Sequence, residues 1–381
     1  MHPLSTNEHC IEDYAVWVLI PKLETEDPNI KYYCDFEPTL AEYSRSFSHL
    51  GIKWRSKEVR LQDIERSLDE IAVDSLPRSP CVLNLCDGDE TNGVPGISVV
   101  RALEKRGWAY SGAREFFYHA TTSKIDMKHL FDAHRVPTAS WCEILDDTQP
   151  NEIFGKCGIP AIIKPAVSAG SMGLSIRNVV STAGEFERCM SELRKGYRGW
   201  DLQRGGVLAE QFLDGREFTT FIIGSEHELY MYPPVERVFH ASLPSKERFL
   251  SFDRLWETYE TESAMPNHED VYRYAAPEQS LHPEIERVSK SAYRAVQGTG
   301  YGRVDIRTDS KTGKLYVLEV NAQCGLSEDE NYTSIGAILR FANESFSVMT
   351  MRVLNDAMKM HALGRVGLSS AGTKAKYEDT V

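Results

Sequence analysis

The sequence predicts an α/β protein with an open parallel sheet near its start and an antiparallel sheet near its end. Two observations carry this. Over the first 110 residues short apolar runs alternate with helical periodicities, which is the order in which strands and covering helices are laid down. Near 300–325 two β-patterned runs flank a short polar turn, the mark of a hairpin.

Taken in order, the run 15–20 (AVWVLI), closed by Pro21, reads as a strand buried on both faces. Leu40, Tyr43, Phe47 and Leu50, spaced by three and four, predict a helix over 38–50. CVLNLC (81–86) is a second strand, followed by a glycine- and acid-rich loop at 87–96, a helix at 97–106 and a short segment at 108–112. A helix at 123–134 and an extended stretch at 139–145 come next, then a strand at 160–166 with a glycine-rich loop after it. Strands are expected at 208–213, 217–224, 301–308 and 315–321, and helices at 333–343 and 345–361. Residues 240–270 are polar, aromatic and irregular, as in a long functional loop, and 370–381 are expected to lack structure.

Composition narrows the function. Lys plus Arg number 43 against 56 Asp plus Glu, a formal charge of −13, which argues against non-specific binding to nucleic acid or anionic lipid. The longest apolar run near the start is far shorter than the roughly 18 residues of a membrane helix. The first fifteen residues carry acids and no basic stretch, so no signal peptide is expected and a cytoplasmic location is. The eight cysteines, at 10, 34, 81, 86, 142, 157, 189 and 324, form no CxxC pair. That spacing fits neither a zinc site nor a disulfide framework; buried free thiols are expected.

The stretch 300–325 (GYGRVDIRTDSKTGKLYVLEVNAQCG) carries the chemistry. Pairing centred on Thr312 sets Asp305 opposite Glu319 and Arg303 opposite Asn321. Side chains two apart share a face, with opposed Cβ atoms about 4.5–5.5 Å apart. One patch therefore gathers two carboxylates, an amide oxygen and a guanidinium. Oxygen-only ligands suit Mg²⁺, and a shared carboxylate bridging two ions would clamp a transferring phosphoryl group. The alternative is a hairpin whose charges are merely hydrated. Glu319, embedded among Val317, Leu318 and Val320, speaks against it, because an unpaired carboxylate there is costly.

VLEVNAQCG (317–325) with GRVDIR (302–307), PAIIKPAVSAGSMG (160–173) and LAEQFLDGREFT (208–219) together resemble the ATP-grasp superfamily, in its D-alanine–D-alanine ligase branch. NLCDGDETNG (84–93) and YSGAREFFYHATTSK (110–124) are similar to that branch's first domain, so the resemblance covers about 80–360. It implies an ATP-grasp fold: a Rossmann-like domain at 1–122, a small central lid at 123–207, a catalytic antiparallel domain at 208–365 and a tail at 366–381. ATP would lie between the last two domains. Lys124 and Lys164 would touch its α- and β-phosphates, and Gly170, Ser171, Met172 and Gly173 would close over them through backbone N–H groups. Glu210, Gln211 and Leu213 would hold adenine, Glu217 the ribose, and Asp305, Glu319 and Asn321 two Mg²⁺ ions, with Mn²⁺ a substitute. The implied reaction joins a small carboxylate to an amine through an acyl phosphate and releases ADP. Arg303, helped by Ser171, would steady the developing oxyanion, the alternative for Arg303 being a structural ion pair with Asp305. Glu90, Gly325, Thr333 and Ser334 are the expected substrate contacts, and a homodimer is what the family implies.

Departures from the family concern the amino-acid substrates. Where the family has a glycine-rich loop with a glutamate, this chain has 20–27 (IPKLETED), leaving Glu24 or Glu26 as substitutes. Gly170-Ser171 replaces two consecutive serines, and the family's loop tyrosine falls near Leu255-Trp256. After Asn321 the loop is longer, with Glu328, Asp329 and Glu330 together; these either favour a cationic acceptor or form a solvated loop. Three alternatives to a ligase of another small amino acid therefore stand: a diverged D-alanine ligase, a non-catalytic ATP-binding protein on the same fold, and a dehydrogenase. The last lacks a G-x-G-x-x-G after the first strand.

Overall fold

The computed structural model describes residues 11–25, 35–168, 170–225, 228–331 and 333–375. Cys10, Cys34 and Glu26 lie outside the described residues. Three sheets organise the described residues.

The first is parallel, in the order β2-β1-β3-β4, with β1 Tyr14–Pro21, β2 Trp54–Val59, β3 Ser79–Asn84 and β4 Ala109–Tyr110. β1 is apolar throughout because both of its faces are covered. Trp17 and Leu19 pack with Leu68, Ile71, Val99 and Phe117 on one side. Val16, Val18 and Ile20 pack with Tyr43, Phe47, Met349 and Leu354 on the other. β2 escaped the sequence reading, since its residues are charged and largely solvent-facing, with Lys57 on Glu70 and Glu58 on Lys22. Such polarity suits an edge strand, and only the pairing with β1 makes it one.

The second sheet is antiparallel, in the order β5-β8-β6-β7, with β5 Trp141–Ile144, β6 Ala161–Pro165, β7 Val179–Val180 and β8 Val207–Gln211. The helices Pro150–Cys157 and Ala183–Lys195 cover one face around Ile163, Phe186, Met190 and Ala209. Because β8 belongs here, the boundary expected at 207/208 falls inside a strand. The chain instead passes to the third sheet over 212–216.

That third sheet runs β12-β11-β9-β13-β14, with β10 also on β9. Its strands are β9 Glu217–Ser225, β10 Glu228–Met231, β11 Val235–Phe239, β12 Tyr272–Ala275, β13 Tyr301–Thr308 and β14 Leu315–Ala322. It is locked to the first domain through Gln323, whose Oε1 accepts from the Ala113 amide at 2.7 Å and whose Nε2 donates to the Asn84 carbonyl at 2.9 Å. The backbones of Gly112 and Gly300 meet beside it. A Cβ on Gly300, at φ +66°, would stand 2.0 Å from the Gly112 carbonyl oxygen, so only glycine fits.

The final helix, Phe346–Ala375, reaches into the stretch expected to lack structure; residues 376–381 lie outside the described ones. No described helix is long and apolar enough to cross a membrane. Cys81, Cys86, Cys157, Cys189 and Cys324 are buried free thiols, as expected, whereas Cys142 is half-buried, its Sγ 3.7 Å from that of Cys157.

Candidate active site

All three sheets contribute to one cavity of about 380 Å³, inside the range of small-molecule sites. Lys124, Lys164, Gly170, Ser171, Glu210, Gln211, Leu213, Glu217, Arg303, Asp305, Glu319, Asn321, Gly325, Thr333 and Ser334 line it. Residues scattered over 210 positions thus meet in one place.

The hairpin register is the one the spacing predicts where it matters: Arg303 pairs with Asn321 and Asp305 with Glu319. Just beyond, a bulge shifts the pairing, so Ile306 faces Val317 and Leu318 is the extra residue. Centring on Thr312 carried the register one position too far, because a bulge has no signature in alternation alone. Its effect is to let both Leu318 and Glu319 line the cavity.

The carboxylate patch is tightly knit. Arg303 donates to Asp305 from Nε at 3.1 Å and from Nη2 at 2.8 Å. Thr219 adds a hydroxyl at 2.9 Å, and Asn321 Nδ2 lies 3.0 Å from Asp305 and 3.3 Å from Glu319. Burial raises the Asp305 carboxyl despite Arg303, with the charge of Glu319 adding to the rise. Burial also works against ionised Glu319, but Lys124, Lys164 and Arg303 together hold its carboxyl below the usual range. Arg303 is thus the partner of Asp305 here and also faces the cavity. The donor chemistry fits a hard divalent cation: two carboxylates converge here, and a turn of the Asn321 amide, whose Nδ2 now faces them, would bring its oxygen to the same point. Among the described residues no three His, Cys, Asp or Glu are placed together to hold a metal ion, so such an ion would need the oxygens of its substrate to complete its shell.

On β8, Glu210 is 1% exposed. Lys164 Nζ donates to its Oε2 at 3.0 Å, and Lys128 Nζ lies 3.4 Å from Oε1. Burial pushes this carboxyl up, yet the two ammonium groups outweigh burial and hold it lowered to about 2. Oε1 has no well-formed hydrogen bond among the described residues: Lys128 stands 3.4 Å away and makes its shorter bond to Thr138. A buried acceptor without a donor is a natural partner for an exocyclic amine. Gln211 gives its amide N–H to the Ser140 carbonyl at 2.8 Å, leaving its carbonyl and side chain for a base. Glu217 is more committed than expected, ion-paired with Arg237 and lying 3.7 Å from Arg307.

Lys128 was missed in the sequence. It sits one turn after Lys124 on the helix Lys124–Ala133, so the two share a face, and that spacing was the available signal. Lys124 lies 3.9 Å from Glu319 and donates to the Ser168 carbonyl at 3.0 Å, joining the glycine-rich loop to the carboxylate patch.

Only part of the glycine-rich loop faces the cavity. Gly170 and Ser171 line it, with φ of +54° and +59°. The Met172 side chain is fully buried among Ile163, Phe186 and Leu202, and Gly173 packs against Leu202 and Pro165. These two anchor the loop, and only their backbone remains for a phosphate. Residues 240–270 close over it. Ser171 Oγ donates to the Leu250 carbonyl at 3.0 Å, and the Trp256 indole donates to the Gly170 carbonyl at 2.9 Å, close to the position expected for the family's tyrosine.

At the other end the expectations fare unevenly. Glu90 does not line the cavity. Its Oε1 accepts from the amides of Gly96 at 3.0 Å and Ser98 at 2.6 Å, and its Oε2 from the Ser98 hydroxyl at 2.7 Å, capping the helix Ile97–Arg106. Asp87, three residues earlier, lines the cavity instead. The acidic triplet is a structural loop: Glu328 pairs with Arg45, Glu330 with Arg340, and Asp329 accepts from the Asn331 amide. Glu24 is spent on Arg60 at 2.9 Å. Thr333 and Ser334 do open the helix Ser334–Ala342 onto the cavity, and the buried Ser334 Oγ has no hydrogen-bond partner among the described residues. Free N–H groups and an unused hydroxyl at a helix start form a seat for a carboxylate.

Comparison with known proteins agrees with this geometry. The family described as "D-ala D-ala ligase C-terminus" matches residues 131–337. The chain belongs to that family. It is therefore an ATP-dependent, ADP-forming ligase that makes amide bonds, and the dehydrogenase and non-catalytic readings fall away. It is similar to the D-alanine–D-alanine ligase of Chromohalobacter salexigens, 25% identical over 261 residues, 68% of this chain and 72% of that one. A D-alanine–D-alanine ligase B from Xanthomonas campestris is 22% identical over 317 residues, 77% and 86% of the two chains. The crystal structure of the D-alanine–D-alanine ligase from Bacillus anthracis superposes with a TM-score of 0.66 over 92% of this chain and 99% of that one, at 17% identity, which shows the shared ATP-grasp fold.

Proposed function

We propose that this ligase joins the carboxyl of one small amino acid to the amine of a second, with Mg²⁺ as its metal and D-alanine as the leading candidate for both. The observation that carries the reading is the single cavity in which the Arg303–Asp305–Glu319–Asn321 patch lies between two lysines and the open helix start at Ser334. The names of the relatives favour D-alanine. A second reading, another amino-acid pair in peptide or modified amino-acid synthesis, is favoured by Glu24, Glu328 and Glu330, each of which is engaged by an arginine of this chain.

In the proposed reaction a carboxylate oxygen of the donor attacks the γ-phosphorus of ATP, and ADP leaves with the electrons of the broken P–O bond. The acceptor amine then attacks the acyl carbon, phosphate departs, and the amine's proton goes to phosphate or solvent. Lys124 and Lys164 neutralise phosphate charge, while Gly170 and Ser171 offer backbone N–H groups that exclude water. Arg303 holds the oxygen that becomes negative at the acyl carbon. Ser334 and the helix start seat the acceptor's carboxylate, aiming its amine. Asp305, Glu319 and Asn321 would hold the Mg²⁺, which supplies neutralisation of the phosphate oxygens. No enzyme nucleophile is needed, so positioning and electrostatics carry the rate.

The test is ADP release with Mg²⁺ and ATP against a panel of D- and L-amino acids, products identified by mass. D-alanyl-D-alanine made only with D-alanine supports the leading reading. A different amide supports the second, and ADP release with no amide from any pair refutes both.

A further inference from the structure

We propose that Cys142 and Cys157 are a modification site: peroxide joins their sulfurs in a disulfide, with Cys142 the thiol that reacts first and Cys157 the one that closes the bond. The site stands apart from the ligase chemistry and does not depend on which amino acids are joined.

The two thiols come from different elements. Cys142 lies on β5, and Cys157 ends the helix Pro150–Cys157, which covers the same sheet. Their sulfurs are 3.7 Å apart, already in contact, against about 2 Å in a disulfide. β5 is an edge strand paired with β8 on one side, so a small shift of Cys142 toward its partner breaks no second ladder.

Their surroundings give them different roles. Cys157 is 2% exposed, and its Sγ lies 3.5 Å from the Ala209 carbonyl oxygen, which keeps it facing Cys142. Cys142 is half-buried and opens on a second cavity of about 530 Å³, separate from the candidate active site and lined also by His129, Asp132, Glu143 and Lys156. A small oxidant therefore meets Cys142 before Cys157. The hydrogen bond from Cys157 draws the Cys142 thiol down to about 7; Lys156 helps, while partial burial and the charge of Glu152 oppose. Cys157 is raised by the same shared proton and by burial, so it keeps its hydrogen. The thiolate is the nucleophile, and one reactive sulfur thus stands beside one protonated sulfur able to resolve it. By contrast, burial pushes the thiols of Cys81, Cys189 and Cys324 up to about 12, which leaves them inert.

The Cys142 thiolate attacks one oxygen of hydrogen peroxide and the O–O bond breaks. Hydroxide leaves and takes up a proton as water, and a sulfenic acid remains on Cys142. The Cys157 sulfur then attacks that sulfur, the S–O bond breaks, and the oxygen departs as water with the Cys157 proton. Two thiols are oxidised to one disulfide, and one peroxide is reduced to two waters.

To test this, the reduced full-length enzyme is treated with hydrogen peroxide, its remaining thiols are capped with N-ethylmaleimide, and tryptic peptides are identified by mass. Cleavage after Lys156 separates the two cysteines. A peptide pair joined through Cys142 and Cys157, and released by dithiothreitol, is expected. Before oxidation, iodoacetamide should label Cys142 about 10-fold faster than Cys189 near neutral pH, as their different thiolate fractions require. In Cys157→Ser the sulfenic acid has no resolving thiol, so dimedone should trap it at Cys142; in Cys142→Ser neither the disulfide nor a dimedone adduct at Cys157 should form. No joined peptide from unaltered enzyme that is folded by circular dichroism would overturn the proposal. So would a joined peptide that forms only in urea, or labelling of Cys142 no faster than that of Cys189.

Discussion

The two ends of the cavity are built on different principles. At the end proposed for the nucleotide, charges are paired in advance: Glu210 between Lys164 and Lys128, Glu319 beside Lys124, Asp305 clasped by Arg303. At the other end, proposed for the substrates, the buried Ser334 hydroxyl has no hydrogen-bond partner among the described residues, and the nearby acids Asp89, Glu328 and Glu330 are bound up in loop structure or ion pairs. ATP is the same molecule in every turnover, so a rigid, neutralised frame can be built for it. Selectivity for small substrates instead comes from groups that only the right ligand satisfies.

The largest expected effect breaks the frame at its centre. Glu319→Ala should lower ADP release about 10³-fold or more while the protein stays folded by circular dichroism. Activity within tenfold of the unaltered enzyme would remove the carboxylate patch from the chemistry.

Lys128→Met tests whether the nucleotide end is held by charge. Removing one partner of a buried ion pair costs about 3–5 kcal/mol, and the low end is expected because Lys164 remains on Glu210. The loss should appear as a lower midpoint in urea. It also has a pH signature. Glu210 is held near 2 against an ordinary 4.5, so its contribution to stability is complete above about 4.5 and fades as pH falls toward 2. The variant should show a shallower loss of stability across that window. An unchanged slope would mean the pairing contributes little.

Trp256→Phe should weaken closure of the phosphate loop by one hydrogen bond, about 0.5–1.5 kcal/mol, seen as a few-fold rise in the KM for ATP with the amino-acid KM unmoved. Glu90→Gln sharpens the contrast at the substrate end. Loss of a helix cap should lower stability by about 1 kcal/mol without altering either KM, and a changed substrate KM would return Glu90 to the site.

How legible each part was follows from the range of the forces involved. β1 announced itself because strands covered on both faces are apolar throughout, while β2 was hidden because its charged residues form a strand only through an edge pairing. The two ligand pairs of the hairpin could be counted from its turn, since opposed residues in a hairpin are fixed by local geometry. Leu318 at the bulge could not, because the extra residue is accommodated by packing. Glu90 was read as a substrate contact and proved a cap, its neighbour Asp87 taking the cavity position, because the φ of +60° at Glu90 turns the loop between them.

By itself, then, the sequence determined the alternation of layers, the metal-type carboxylate pair and the family to which the chain belongs, since each is written in spacings of a few residues. The tertiary structure decided which charges meet. Lys128 is 82 positions from Glu210, and Arg45 is 283 from Glu328. Whether a carboxylate is satisfied within the fold or left for a ligand depends on what the distant chain brings beside it, because a buried charge is stable only against a partner and no local spacing says where that partner lies.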